Sequence, residues 1–160
     1  MLTGAVCWLW LAATPPSAAE TADPASSTLA AVEEQDIVAA LATITGSPAV
    51  LAQYRASAKT CPQPLAWVSI RRAANQPPGT ARLRSGAYFS PLFDLTDAPT
   101  RIAIPYPAPY GSGRGSLTVI AIGAGAQVAL SPAWQVAAQP GGATHAVTWS
   151  AAQACRPAGG

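Results

Sequence analysis

His145 is the only histidine in the chain, and general acid–base chemistry would fall to it first, since imidazole is the group most often used to carry a proton. Asp94 or Asp97 could orient it and a serine could attack, in the manner of a nucleophile–base–orienter triad. The spacing argues against this. His145 shares a period-2 face with Ala143, Val147 and Trp149, and a lone histidine on such a face is ordinarily a packed core or edge residue. No G-x-S-x-G elbow is present. Glycoside hydrolysis normally needs two carboxylates across a cleft. From Cys61 onward the acids are Asp94 and Asp97, flanking a turn where short carboxylates hydrogen-bond to backbone. Outside the first 19 residues, one histidine and the two distant cysteines Cys61 and Cys155 do not make a tetrahedral zinc set. The run Gly111–Gly115, GSGRG, has the glycines of a phosphate-cradling loop, but such loops lead from a strand into a helix N-terminus. This one leads into a strand. The sequence therefore assigns no catalytic residue, no cofactor and no metal.

The aromatic residues point instead to recognition. Tyr106 and Tyr110 flank Pro107-Ala108-Pro109 in the run PYPAPY, which is expected to be extended and exposed. Arg114 sits at the tip of the glycine-rich turn that follows. Trp134 comes after the Ser131-Pro132 break and is expected in a loop. Aromatic faces on loops stack on sugar rings or partner side chains, so Tyr106, Tyr110, Arg114 and Trp134 are the candidate binding residues. Local packing beneath a proline-rich loop is the competing reading. Trp67 and Trp149 fall within strands and are expected in the core.

These residues must be held by strands. Ile102, Ile104 and Tyr106 alternate with Arg101, Ala103 and Pro105, and Leu117, Val119 and Ala121 alternate with Thr118, Ile120 and Ile122. Period-2 spacing rich in β-branched residues marks strands packed on a core, so residues 101–122 read as a central hairpin. Further alternation lies in residues 65–72, 80–84, 87–95, 126–131, 134–137 and 143–150, with Pro91 marking an edge or a bulge. Seven or eight short strands with frequent turns predict an all-β fold, an antiparallel sandwich of jelly-roll or immunoglobulin-like type, over residues 61–156. Before it, Ile37, Leu41 and Ile44 fall on one helical face, with Glu33, Glu34 and Asp36 in the first turn. Ser47-Pro48 opens a second short helix. Residues 32–59 are therefore read as a helical segment, and the Ala/Ser/Thr-rich residues 20–31 as a linker.

Composition places this domain in the cell. Half the residues are apolar and 10% are charged, well below the roughly 25% of a typical domain. From Cys61 onward stand seven arginines and two acids, but the arginines are scattered, which does not suit nucleic acid. Residues 5–13, AVCWLWLAA, are too short an apolar run to span a bilayer, which takes about 20 residues. Followed by small residues up to Ala19, they read as a signal peptide over residues 1–19, although Met1–Gly4 lacks a basic residue. Export to a periplasmic, extracellular or cell-surface site is the expectation, with no stable transmembrane segment after processing. Cys61 and Cys155 bracket the strand region, and an even pair in an exported chain is expected to be oxidised.

The expected function is a secreted or envelope-associated, non-catalytic binding or assembly module that contacts a glycan or an envelope protein. A structural subunit docking through its N-terminal helices is the alternative, and a hydrolase built on His145 ranks last. Nothing in the sequence fixes the oligomeric state. A Cys61–Cys155 bridge should stabilise the fold by about 4–5 kcal/mol through lost loop entropy. Mass spectrometry of the mature protein is expected to show a chain beginning at Glu20, with no thiol alkylation before reduction and labelling of both cysteines after it.

Overall fold

The computed structural model describes residues 26–44, 65–107 and 109–150. The expected signal peptide, the second helix, and Cys61 with Cys155 lie outside the described residues. The alternation read from sequence becomes strands wherever it was strongest. These are β1 (Ser27–Thr28), β2 (Ala30–Ala31), β3 (Leu65–Arg72), β4 (Gly79–Ser85), β5 (Tyr88–Phe89), β6 (Phe93–Leu95), β7 (Thr100–Pro105), β8 (Arg114–Ile122), β9 (Ala126–Ala129), β10 (Trp134–Val136) and β11 (Ala143–Thr148). One short helix, α1 (Ile37–Thr43), follows a 3-10 turn at Glu34–Asp36. The chain is thus mostly β, in two sheets.

The first sheet runs β1-β11-β8-β4-β5, with β6 also paired to β4. The second runs β10-β9-β3-β2, with β7 on the other edge of β3. Ala81, Leu83, Leu117, Val119 and Val147 of the first sheet join Ala66, Val68, Ile70, Ile104 and Val128 of the second in one buried cluster. Each set follows the predicted alternation, because successive side chains of a strand point to opposite faces. Pro91 also acts as expected. It interrupts the edge strand between β5 and β6, and Ser90 bridges the gap by accepting the Leu83 N–H on its hydroxyl at 2.8 Å.

Two expectations are corrected. Residues 101–122 are not a hairpin: β7 pairs with β3 in the second sheet, whereas β8 lies between β11 and β4 in the first. The proline- and glycine-rich loop is therefore a crossing between sheets. Nor are residues 27–31 a linker. β1 pairs in parallel with β11, and two residues later β2 pairs antiparallel with β3. The first sheet is mixed for this reason. Small residues suited this segment because it passes through the edge of the domain: Ser27 is fully buried, and Leu29 between the two strands is 4% exposed.

The helix covers the free edge of β7. As predicted, its apolar face (Ile37, Leu41, Ile44, with Ala40) packs on the core, while Val38 is 82% exposed. Thr43 Oγ1 accepts the Ala103 N–H at 2.9 Å and donates to the Ala40 carbonyl at 2.8 Å. Pro105 has no N–H to offer, and its carbonyl accepts the Ser85 hydroxyl at 2.6 Å. An open strand edge invites pairing with another chain, and this one is closed by a threonine and a proline. Among the described residues no helix is long and apolar enough to cross a membrane. Thr43→Val should leave the Ala103 N–H unpaired and lower the unfolding free energy by about 1–3 kcal/mol. Thr43→Ser, which keeps the oxygen, should cost clearly less, and urea denaturation of the two variants checks the difference.

Candidate functional site

The candidate residues named from sequence fall into two groups that do not meet. The first is an aromatic cluster where the chain crosses from β7 to β8. Tyr106 is 3% exposed, against the expectation of an exposed ring. Its ring lies 5.1 Å from Trp149 and makes an edge contact with Tyr110 at 6.5 Å. Proline fixes the backbone of the loop but does not keep its neighbours in water. Here the apolar alternation of β7 runs one residue past the strand and carries Tyr106 inward. Tyr110, half-buried, opens a 3-10 turn over Tyr110–Ser112. Trp149 fastens this turn to the core: its indole N–H donates to the Tyr110 carbonyl at 3.1 Å, and its backbone N–H to the Gly113 carbonyl at 2.8 Å. Gly113 takes a left-handed φ of 64°, which favours glycine. At Gly115 a Cβ would stand 2.7 Å from Pro107. Arg114 projects beyond the turn and is exposed. Trp149, expected only as core, is thus the residue that holds the loop.

The second group surrounds His145. Trp134 lies not in a loop but in β10, opposite Val128, and its ring stacks on the imidazole at 4.8 Å with 17° between planes. Ser27 donates its hydroxyl proton to the Pro132 carbonyl at 2.7 Å, and its Oγ lies 2.9 Å from His145 Nε2. A hydroxyl has one proton to give. The Pro132 carbonyl can only accept, and the imidazole tautomer sets which of Oγ and Nε2 donates to the other. The group ties three strands together at the edge between the sheets. Of the two orienter candidates, Asp97 is engaged by Arg72 at 2.8 Å, and Asp94 stands exposed in β6 opposite Thr80. Among the described residues no group of three or more His, Cys, Asp and Glu gathers as a metal set would.

Sequence reasoning missed a third place. On the face of the second sheet turned away from the first, Ser69 and Arg71 of β3 and Gln127 and Ala129 of β9 line a hollow of about 270 Å³, closed at its rim by Pro99 and Ala133. Arg71 Nε donates to Gln127 Oε1 at 2.7 Å. Beside it on β7, opposite Ser69, Arg101 lays its guanidinium 4.1 Å over the ring of Trp67. The alternation Ser69/Arg71 against Val68/Ile70 showed that these side chains face outward, but not that β9 brings Gln127 beside Arg71. A comparable pair stands on the outer face of the first sheet, where Arg82 and Arg84 lie 4.8 and 5.4 Å from the centre of the Phe89 ring.

No family model, no curated protein and no solved structure matches this chain.

Burial has a measurable consequence in the aromatic cluster. Desolvation pushes the Tyr106 phenol from 10.0 up to about 12 and raises Tyr110 in the same direction. Between those values the unfolded chain has released the Tyr106 proton and the folded chain has kept it, so stability falls as pH rises through that window. Tyr106→Phe should flatten this alkaline loss without removing the aromatic packing. Thermal unfolding followed from neutral pH to strong alkali, alongside tyrosinate absorbance, checks both parts.

Proposed function

We propose that this chain is an exported, non-catalytic binding or assembly module whose two sheets form a β-sandwich of immunoglobulin-like rather than jelly-roll connectivity. Support for the connectivity comes from the partition of strands: β3 pairs with β7 in one sheet, and β4, β8 and β11 are neighbours in the other. That is the division of an immunoglobulin-like domain, with the β9–β10 hairpin added between the last two strands of the second group.

The observation that carries the functional reading is the way the Tyr110–Arg114 turn is presented. Its base is held by Trp149 through two hydrogen bonds and by the buried Tyr106 ring, so the exposed Ser112 and Arg114 are offered on a rigid support. A preorganised contact loses less conformational freedom on binding than a mobile one. The partner is a glycan or an envelope protein, met by Arg114 and the exposed edge of Tyr110. Tyr106 serves as the support and not as the contact, which revises the role expected for it from sequence. The alternative of a structural subunit docking through its N-terminal helix is favoured by one observation, the exposed Val38 beside exposed Glu33 and Glu34 on the segment leading into α1.

Arg114→Glu combined with Tyr110→Ala should reduce capture of envelope glycan or protein at least tenfold relative to the unmodified chain. Val38→Asp should leave capture through the turn intact. Pull-down from an envelope fraction with quantitation against both variants checks the reading. Loss of capture confined to Val38→Asp would instead favour the docking alternative.

A further inference from the structure

We infer that the hollow on the outer face of the second sheet is a binding site for a carboxylate-bearing sugar residue of a glycan. This rests on reading the domain as a recognition module but places the specificity away from the Tyr110–Arg114 turn.

The argument begins with what the polar groups can still do. Arg71 uses its Nε on Gln127 Oε1, which fixes the plane of the guanidinium and leaves both terminal nitrogens as donors. Gln127, with its oxygen engaged, offers its amide N–H groups. Ser69 adds a hydroxyl to the lining. Arg101, opposite Ser69 on β7 and outside the lining, holds its guanidinium 4.1 Å over the Trp67 ring and adds positive charge nearby. Among the described residues the one ion pair is Arg72 with Asp97, so neither Arg71 nor Arg101 is neutralised by a carboxylate there. Asp97, two residues from the rim at Pro99, is itself held by Arg72 through Nη2 at 2.8 Å and Nε at 3.2 Å. The polar side of the hollow is thus rich in donors and short of acceptors.

Such a site fits an anion, and a fixed guanidinium fork fits a planar carboxylate through two parallel hydrogen bonds. The remaining walls are Pro99, Ala129 and Ala133. Short apolar side chains leave room for the C–H face of a ring and make no demand for hydrogen bonds from it. A volume of about 270 Å³ lies just below the usual range of small-molecule sites and suits one ring of a longer chain that continues into solvent at the open side. A uronic acid unit combines these properties, a ring face for the apolar wall and a carboxylate for Arg71.

The test uses the full mature chain, with oligogalacturonate as probe. Two controls accompany it: the methyl ester of the same oligomer, which keeps the rings and removes the charge, and a polyglutamate peptide, which keeps the carboxylates and removes the rings. Isothermal titration should show binding of the acid form, with at least tenfold weaker binding of the ester and of the peptide. Amide NMR shifts should centre on Ser69, Arg71, Gln127 and Ala129. Arg71→Ala should weaken binding at least tenfold. Arg71→Lys, which keeps the charge but loses the fork and the Gln127 contact, should recover only part of that loss. Arg84→Ala, an equal loss of charge on the opposite sheet, should leave binding unchanged. Equal affinity for the ester or for polyglutamate, equal loss in Arg71→Ala and Arg84→Ala, or no binding of the acid form would each overturn the inference. Partner capture through Tyr110 and Arg114, measured on the same protein, would then still decide the module reading separately.

Discussion

Backbone polar groups that leave one sheet for another lose their ladder partners, and finding new ones is the constraint on which this structure depends. Buried N–H and C=O groups are nearly always paired, and this chain changes sheets repeatedly. It crosses between β1 and β2, β3 and β4, β6 and β7, β7 and β8, β8 and β9, and β10 and β11. At the first crossing Leu29 N–H bonds to the Thr148 carbonyl and Thr28 N–H to the Ser131 carbonyl. After β3, Arg72 N–H reaches Thr96 and Ala73 N–H reaches Gly125. At the β7–β8 crossing the Trp149 side chain and backbone supply the donors. The crossings are therefore fastened to one another and not left as free loops.

That fastening also draws in side chains that the sequence marks as candidates for chemistry or recognition. His145 and Ser27 face the interior because β1 and β11 form the edge that the second sheet closes upon, and the hydrogen bond between them joins the N-terminal strand to the last one. Trp134 completes the closure from β10. Trp149 and Tyr106 do the same at the β7–β8 crossing. Aromatic rings suit such places: they bury a large apolar area, and an indole N–H can meet a carbonyl, as Trp149 meets Tyr110. Arginines on the outer sheet faces set their guanidinium heads over neighbouring rings, Arg101 on Trp67 and Arg82 with Arg84 on Phe89.

The strands hold side chains at fixed spacing, so two positions on neighbouring strands, such as Arg71 and Gln127, can be set in register without a mobile element. The helix α1 contributes differently. By covering the β7 edge through Thr43, it removes a surface that would otherwise be open to strand pairing.

The sequence by itself determined most of the longer strands and the core-facing side of β4 and β8. The alternation in SLTVIAI survives intact, because a strand's side chains alternate whatever it pairs with, whereas Leu65–Val68 and Ile102–Tyr106 are buried on both faces. The helical face of Ile37, Leu41 and Ile44 was legible for the same reason, as was the interruption at Pro91. Partner choice was not legible. Period-2 spacing is identical for a hairpin and for two strands in opposite sheets, so residues 101–122 looked like neighbours although they belong to different layers. The short segment 27–31 carried no period at all, being two strands of two residues each, and only the edges offered by β11 and β3 give it a place. Likewise Ser27 and His145, or Arg71 and Gln127, are brought together across 118 and 56 positions of chain. Contacts of that separation come from register between strands, which tertiary packing alone decides.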